Sequence, residues 1–234
     1  MKSFSQFNQD LFTVNVLKHK KNGTFLEIGS HDAININNTY LLEKNYGYKG
    51  IMIEVDSSWL PSYIEHRQNS IHIINDATKV DYLKVLSENN FPSNIDYLQI
   101  DLDENNKSSL NTLELLDKTV FNQYTFAIIH FEHEYIHSNK WKTKEKSIDI
   151  LEKRGYIKVF ENVCCCKGAP AEDWYVHPSL VDMEYIKDLQ LKNEKKYHTI
   201  VNYYINEQCM HWPDKTMIPN DLTQRGILGI DIEY

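Results

Sequence analysis

Short apolar runs that alternate with helical patterns constrain this chain more than any other feature. The runs fall at residues 24–28, 50–55, 71–74, 95–100 and 126–131. Each is rich in Ile, Val, Phe or Tyr and too short for a helix, so each reads as a buried strand. Helical patterns cover residues 8–18, 38–45, 81–88 and 140–154. The last ends at Gly155, a residue suited to the left-handed position just past a helix. Alternation of this kind predicts an α/β domain built from βα units, with a mostly parallel sheet.

A further strand, 156–160, precedes a segment of different character. Residues 161–176 place Lys167-Gly168-Ala169-Pro170 as a turn between two extended runs, which predicts an antiparallel hairpin at one sheet edge. From 181 to 234 the pattern changes again: a polar helix to about residue 195, a Tyr-rich extended run, then an irregular tail. The division is a domain over 1–180 and a C-terminal extension over 181–234, the latter a lid or an oligomer contact. There is no low-complexity linker and no internal repeat, and 234 residues suffice for one core.

A formal net charge of −8 argues against a general nucleic-acid binder, which needs surplus Lys and Arg against phosphate. No apolar run approaches the roughly 20 residues of a membrane span. The N-terminus, MKSFSQFNQDLF, lacks the apolar core of a secretory signal. A cytoplasmic protein is expected. The four cysteines, Cys164, Cys165, Cys166 and Cys209, offer neither a C-x-x-C pair for zinc nor a relaxed disulfide between neighbours. They read as small apolar residues in a reducing compartment.

The chemistry-bearing residues sit at strand ends. The run FLEIGSHDA, 25–33, brings Glu27, Gly29 and a tight polar turn with Ser30 and Asp32 to the carboxyl edge of the sheet. In open α/β sheets ligands bind at that edge. The second strand ends at Glu54, where a carboxylate can accept hydrogen bonds from both hydroxyls of a ribose. Asp76 and Ala77 follow the third strand, positioned to meet an adenine ring, and Asp101 follows the fourth. Taken singly, each has a structural explanation: Glu27 as a buried loop acid, Glu54 as a surface residue, Asp76 as a helix N-cap. Polar residues at four successive strand ends are harder to explain that way.

Several of these stretches resemble FkbM-type methyltransferases. That family carries SQ-x-GQD, then G-x-F-x-EIGA-x-DG, SNT-x-LE and GW-x-G-x-x-IE. Here the corresponding runs are SQFNQD, GTFLEIGSHDA, NNTYLLE and GYKGIMIE. The likeness continues through NDAT at 75–78, IDYLQIDLD at 95–103 and EDWYVHPSLV at 172–181. The resemblance implies a seven-stranded class I methyltransferase (Rossmann-like) fold, S-adenosylmethionine as cofactor, and O-methylation of a sugar, nucleotide sugar or glycan. It assigns Gly29 and Asp32 to the cofactor loop, Glu54 to the ribose and Asp76 with Ala77 to the adenine pocket; Glu27, Ser30, Asn38 and Asp101 complete the expected cofactor site. Two positions depart from the family: Ala33 stands where glycine is usual, and His31 where a small polar residue or Asn is usual. Ala33 implies either a loop that needs no positive φ there or an altered pocket.

A sulfonium methyl is already activated, so positioning is the main task; a sugar hydroxyl also needs somewhere to send its proton. Asp101 and Asp103 share a face after the fourth strand. After the fifth, His130 and Glu132 share one face and His133 takes the other. Asp103 and Glu132 are a candidate pair for an optional Mg²⁺ or Mn²⁺, with His133 as base or further ligand. The catalytic set is therefore Asp103, Glu132 and His133. The order HFEH lacks the spacing of H-E-x-x-H and argues against a zinc protease. Trp174, Tyr175 and His177 suit either a sugar face or the core of the hairpin. Tyr203, Tyr204, Trp212 and Tyr234 in the tail could close over an acceptor or join two copies, so a homo-oligomer is left open.

Two other classes compete. A nicotinamide-dependent oxidoreductase also uses a glycine turn and an acid after the second strand, but G-x-G-x-x-G needs glycines that 30–38 do not contain. A Rossmann-like binding module without turnover would keep the fold and the cofactor while methylating nothing.

Overall fold

The computed structural model of the chain describes residues 2–102, 107–133, 140–165 and 169–190. Seven strands form one sheet: β1 Thr24–Ile28, β2 Lys49–Glu54, β3 Ser70–Ile74, β4 Asn94–Ile100, β5 Thr125–Glu132, β6 Ile157–Cys165 and β7 Ala169–Val176. Their order is β3-β2-β1-β4-β5-β7-β6. β1 to β5 are parallel, and β7 alone runs antiparallel to both neighbours. This is the α/β architecture expected of a class I methyltransferase: a mostly parallel sheet with an antiparallel edge hairpin. Strand order reverses direction at β1 and β4, which creates a crevice at their carboxyl ends.

The central strands are buried on both faces because helices cover each side. On one face α1 Gln9–Val16, α2 Tyr40–Tyr46 and α3 Leu60–His66 surround a core with Phe12, Phe25, Met52, Tyr97 and Trp174. On the other, α4 Tyr82–Glu88, α5 Ser108–Lys118 and α6 Thr143–Lys153 pack over Leu26, Ile53, Leu98, Ile129 and Tyr175. Gly155 has φ +86 and closes α6 as expected. Its N–H donates to the Glu152 carbonyl and the Tyr156 N–H to the Leu151 carbonyl, a Schellman closure. Among the described residues no helix is long and apolar enough to cross a membrane.

Two expectations need correction. The strand foreseen at 156–160 continues without a break to Cys165, so it is itself the first arm of the hairpin. The hairpin lies at the sheet edge as expected, with its returning arm β7 inserted between β5 and β6 and β6 outermost. Ala169 and Pro170 belong to that arm rather than to a turn. The extra length of β6 is absorbed by register shifts along its pairing with β7. Asn162, at φ 58, occupies one of these bulges, a conformation Asn tolerates better than most side chains. Helices α3 and α5 were not foreseen. A helix over 183–190 agrees with the polar helix expected at the start of the extension. Asp103, Cys166, Cys209 and the aromatic residues of 191–234 lie outside the described residues.

Candidate functional site

At the end of β1 the backbone is woven to its neighbours. The N–H groups of Gly29 and Ser30 donate to the Ile53 carbonyl, and the Asp101 N–H donates to the Ile28 carbonyl. Gly29 has φ +85, and a Cβ there would lie 1.8 Å from the Asp101 carbonyl oxygen. Only glycine lets the β1 and β4 ends approach so closely. Beyond it His31 is also left-handed, at φ 48, while Ala33 is not. Of the two readings of Ala33, the structure supports the one in which the loop needs no positive φ at that position.

Residues 30–39 fold around Asn37. Its amide nitrogen donates to Glu27, to the Ser30 carbonyl and to the Asp32 carbonyl; its Oδ1 accepts from the N–H groups of Thr39 and Tyr40. Arg67, just past α3 and fully buried, clamps the same loop. It donates from Nε to Glu43 at 2.8 Å, from Nη1 to Asn37 at 2.9 Å and the Ala33 carbonyl at 3.2 Å, and from Nη2 to Thr39 at 2.6 Å. Glu27 lies 3.9 Å from the same guanidinium. Burial pushes the Glu27 carboxyl above its ordinary range, and Arg67, Thr39 and Asn37 oppose that shift. Asp32 spends one carboxylate oxygen on the N–H groups of Ile34 and Asn35, fixing the turn.

Glu54, at the end of β2, is held by three backbone donors. Its Oε2 accepts from the His31 N–H at 2.8 Å, and its Oε1 from Val55 and Asp56 at 2.8 and 2.9 Å. The carboxylate is thereby fixed in place and retains acceptor capacity on Oε2. After β3, Asp76 caps a short 3-10 turn through Thr78 and pairs with Lys79 at 2.8 Å. The Lys79 and Thr78 hydrogen bonds hold the Asp76 carboxyl down at about 2.

These strand ends enclose one cavity of about 490 Å³. Glu27, Gly29, Ser30, Asn38, Glu54, Ala77 and Asp101 all line it, as do Gln6, Asn75 and Leu102. Asp32 and Asp76 do not; both shape the loops beside it. The buried Asn38 side chain reaches the cavity wall with no partner for its Oδ1. Gln6 arrives there because Asp10, beneath it, ties the N-terminal segment with hydrogen bonds from Ser3, Ser5 and the Phe4 N–H. That knot is the structural content of the SQFNQD run.

The ends of β5 and β7 form a second polar group. Glu132 pairs in register with Glu172, and His133 turns to the opposite face. His133 is buried, and its Nε2 lies 3.4 Å from Asp173 Oδ1. Although burial acts to raise Asp173, the bond and charge of His133 bring it below the usual carboxylate range. The buried Glu172 accepts from Trp174 Nε1 at 2.5 Å. Burial pushes Glu172 up to about 8, and the nearby charge of Asp101 acts in the same direction. Glu132 and His133 therefore separate to two faces, and neither lines the cavity. Among the described residues no three His, Cys, Asp or Glu side chains group as a metal site.

Of the aromatics considered for a sugar, Trp174 and Tyr175 are fully buried. Trp174 stacks on His130 with ring centroids 4.6 Å apart and touches Phe12 and Phe160, so it is core. His177 packs on Tyr156 at the other end of β7, away from the cavity. Sequence reasoning missed Arg67, Asn37, Asp173 and Glu172 as parts of the site. The EDWY run was the one signal for the last two.

No protein-family model matches the chain, and no curated protein matches it in sequence. Solved structures do resemble it. A TehB-like SAM-dependent methyltransferase from Corynebacterium glutamicum is 8% identical with a TM-score of 0.48, the match covering 75% of this chain and 89% of that one. For a putative rRNA-methylase from Clostridium thermocellum the values are 13%, 0.47, 75% and 99%. For M. jannaschii TYW2 in complex with AdoMet they are 14%, 0.43, 75% and 78%.

Proposed function

We propose that this protein is an S-adenosylmethionine-dependent O-methyltransferase of the FkbM type, acting on a hydroxyl of a sugar, nucleotide sugar or glycan. The observation that carries the reading is the convergence of four successive strand ends on one cavity. Glu54 is preset by backbone donors to accept ribose hydroxyls. Ala77 and Asn75 border the side where an adenine ring would lie, and the absence of a Cβ at Gly29 lets the ends of β1 and β4 close on each other beside the cavity. The buried, partnerless Asn38 Oδ1 and the Glu27 carboxyl suit the ammonium of the methionine moiety. When bound, the cofactor supplies a methyl group already activated on sulfur.

The chain's own residues then position the acceptor and take its proton. Asp101, which the strand-end pattern gave to the cofactor, lines the cavity at the end of β4 beside Glu27 and Glu54, and in this proposal it takes the acceptor's proton instead. His133 is buried and lies against Asp173, which makes the two a supporting pair in this reading. The sugar class rests on the resemblance of the sequence motifs to the FkbM family.

The test is transfer of labelled methyl from S-adenosylmethionine to a panel of sugars, nucleotide sugars and glycans, run with Mg²⁺ and with a chelator. Transfer to one class, lost in Asp101→Asn by about a hundredfold or more with cofactor binding retained, is the expected result. Binding of the cofactor with no transfer to any acceptor would favour a non-catalytic module. Loss of turnover on chelation would direct attention to Asp103 and Glu132.

A further inference from the structure

Three large apolar side chains are exposed among the described residues, and two of them, Ile36 and Val55, line the cavity. Val55 is 69% exposed and Ile36 44%. Their coincidence at one opening points to an apolar surface on whatever fills it. Ile36 is the more telling of the pair, because its backbone is left-handed at φ 54. A β-branched side chain is disfavoured there by its own Cβ, and Gly or Asn would sit at that position with less strain.

The surroundings force the conformation on it. Asn35, on one side, donates its N–H to Asp32 at 2.7 Å. Asn37, on the other, donates its N–H to the Phe4 carbonyl at 3.0 Å and is gripped by Arg67. Strained residues persist where neighbouring contacts over-determine the chain, and they gather where a ligand is held. An exposed, strained isoleucine gives the folded apo protein little, so its use lies in the complex.

We infer that Ile36 is a ligand-contact residue that closes one apolar wall of the cavity over bound S-adenosylmethionine, held in a left-handed backbone by the Asp32 and Asn37 anchors on either side. The inference rests on the cofactor reading above and adds a residue that the strand-end pattern does not contain.

Calorimetric titration with S-adenosylhomocysteine, paired with thermal melts of the ligand-free protein, tests it on wild type, Ile36→Asn and Ile36→Val. Asn adopts the left-handed region readily but removes the apolar surface; Val keeps a β-branched apolar side chain. The expected result for Ile36→Asn is an unchanged or slightly raised apo melting point together with affinity weakened about five- to tenfold. Ile36→Val should bind within about twofold of wild type. Unchanged affinity in Ile36→Asn would overturn the inference. So would a fall of several degrees in its apo melting point, which would make Ile36 a support of the loop instead. A wild type that is folded and does not bind would instead remove the cofactor reading itself, and the inference with it.

Discussion

Gly29 shows how one side chain decides the site. The missing Cβ is occupied by the Asp101 carbonyl, so Gly29→Ala must part β1 from β4 or unwind the turn. We expect it to lower stability by about 3 kcal/mol, read by denaturant melts, and to abolish S-adenosylhomocysteine binding in whatever folds. Glu172 makes a prediction in pH. Its value in the folded protein, about 8, lies above its ordinary 4.5. Between those values the folded protein keeps a proton that the unfolded chain has released. The stability this contributes is fully present below pH 4.5 and is lost as pH rises through 8. Glu172→Gln removes the penalty. Its melting point at pH 8.5 should exceed that of wild type by several degrees, and its fall between pH 5 and 8.5 should be the shallower of the two. Equal slopes in the two proteins would refute the assignment.

Elements carry the site through contacts that span long stretches of chain. Arg67 closes α3 and reaches back to Glu27, Asn37, Thr39 and Glu43, joining the ends of α3, β1 and α2. Arg67→Ala would leave two buried carboxylates without their cation and should lower stability by about 3–5 kcal/mol. Arg67→Lys keeps the charge but not the planar fork, so it should recover only part of the loss, which chemical unfolding of both variants will show. This clamp also marks the limit of what the sequence discloses. The strands were legible because burial on both faces leaves continuous apolar runs, and Glu27, Gly29, Glu54 and Asp101 were legible because strand ends mark a ligand edge. Arg67 follows an unremarkable His66, and its partners lie 24 to 40 residues earlier. The insertion of β7 between β5 and β6 was equally hidden. Local pattern states that a segment is extended, whereas its partner is chosen by packing of Trp174 on His130 and Phe12 across the sheet.

At the scale of the whole molecule, the sheet brings four loops from distant parts of the chain to one cavity, and binding there must couple to folding. A ligand at about a hundred times its dissociation constant adds roughly 2.7 kcal/mol to a protein that binds it only when folded, on the order of 5–10 °C in melting point. S-adenosylhomocysteine should produce that rise and NADH should not, since residues 30–38 hold none of the glycines that a dinucleotide pyrophosphate needs. The most direct test of the account is calorimetric titration of the purified protein with S-adenosylhomocysteine, repeated on Glu54→Ala. Saturable binding by wild type, weakened at least tenfold by the substitution in a protein that still melts cooperatively, is the result the structure leads us to expect. A folded wild type that takes up no S-adenosylhomocysteine, or a Glu54→Ala variant that binds it equally well, would contradict it.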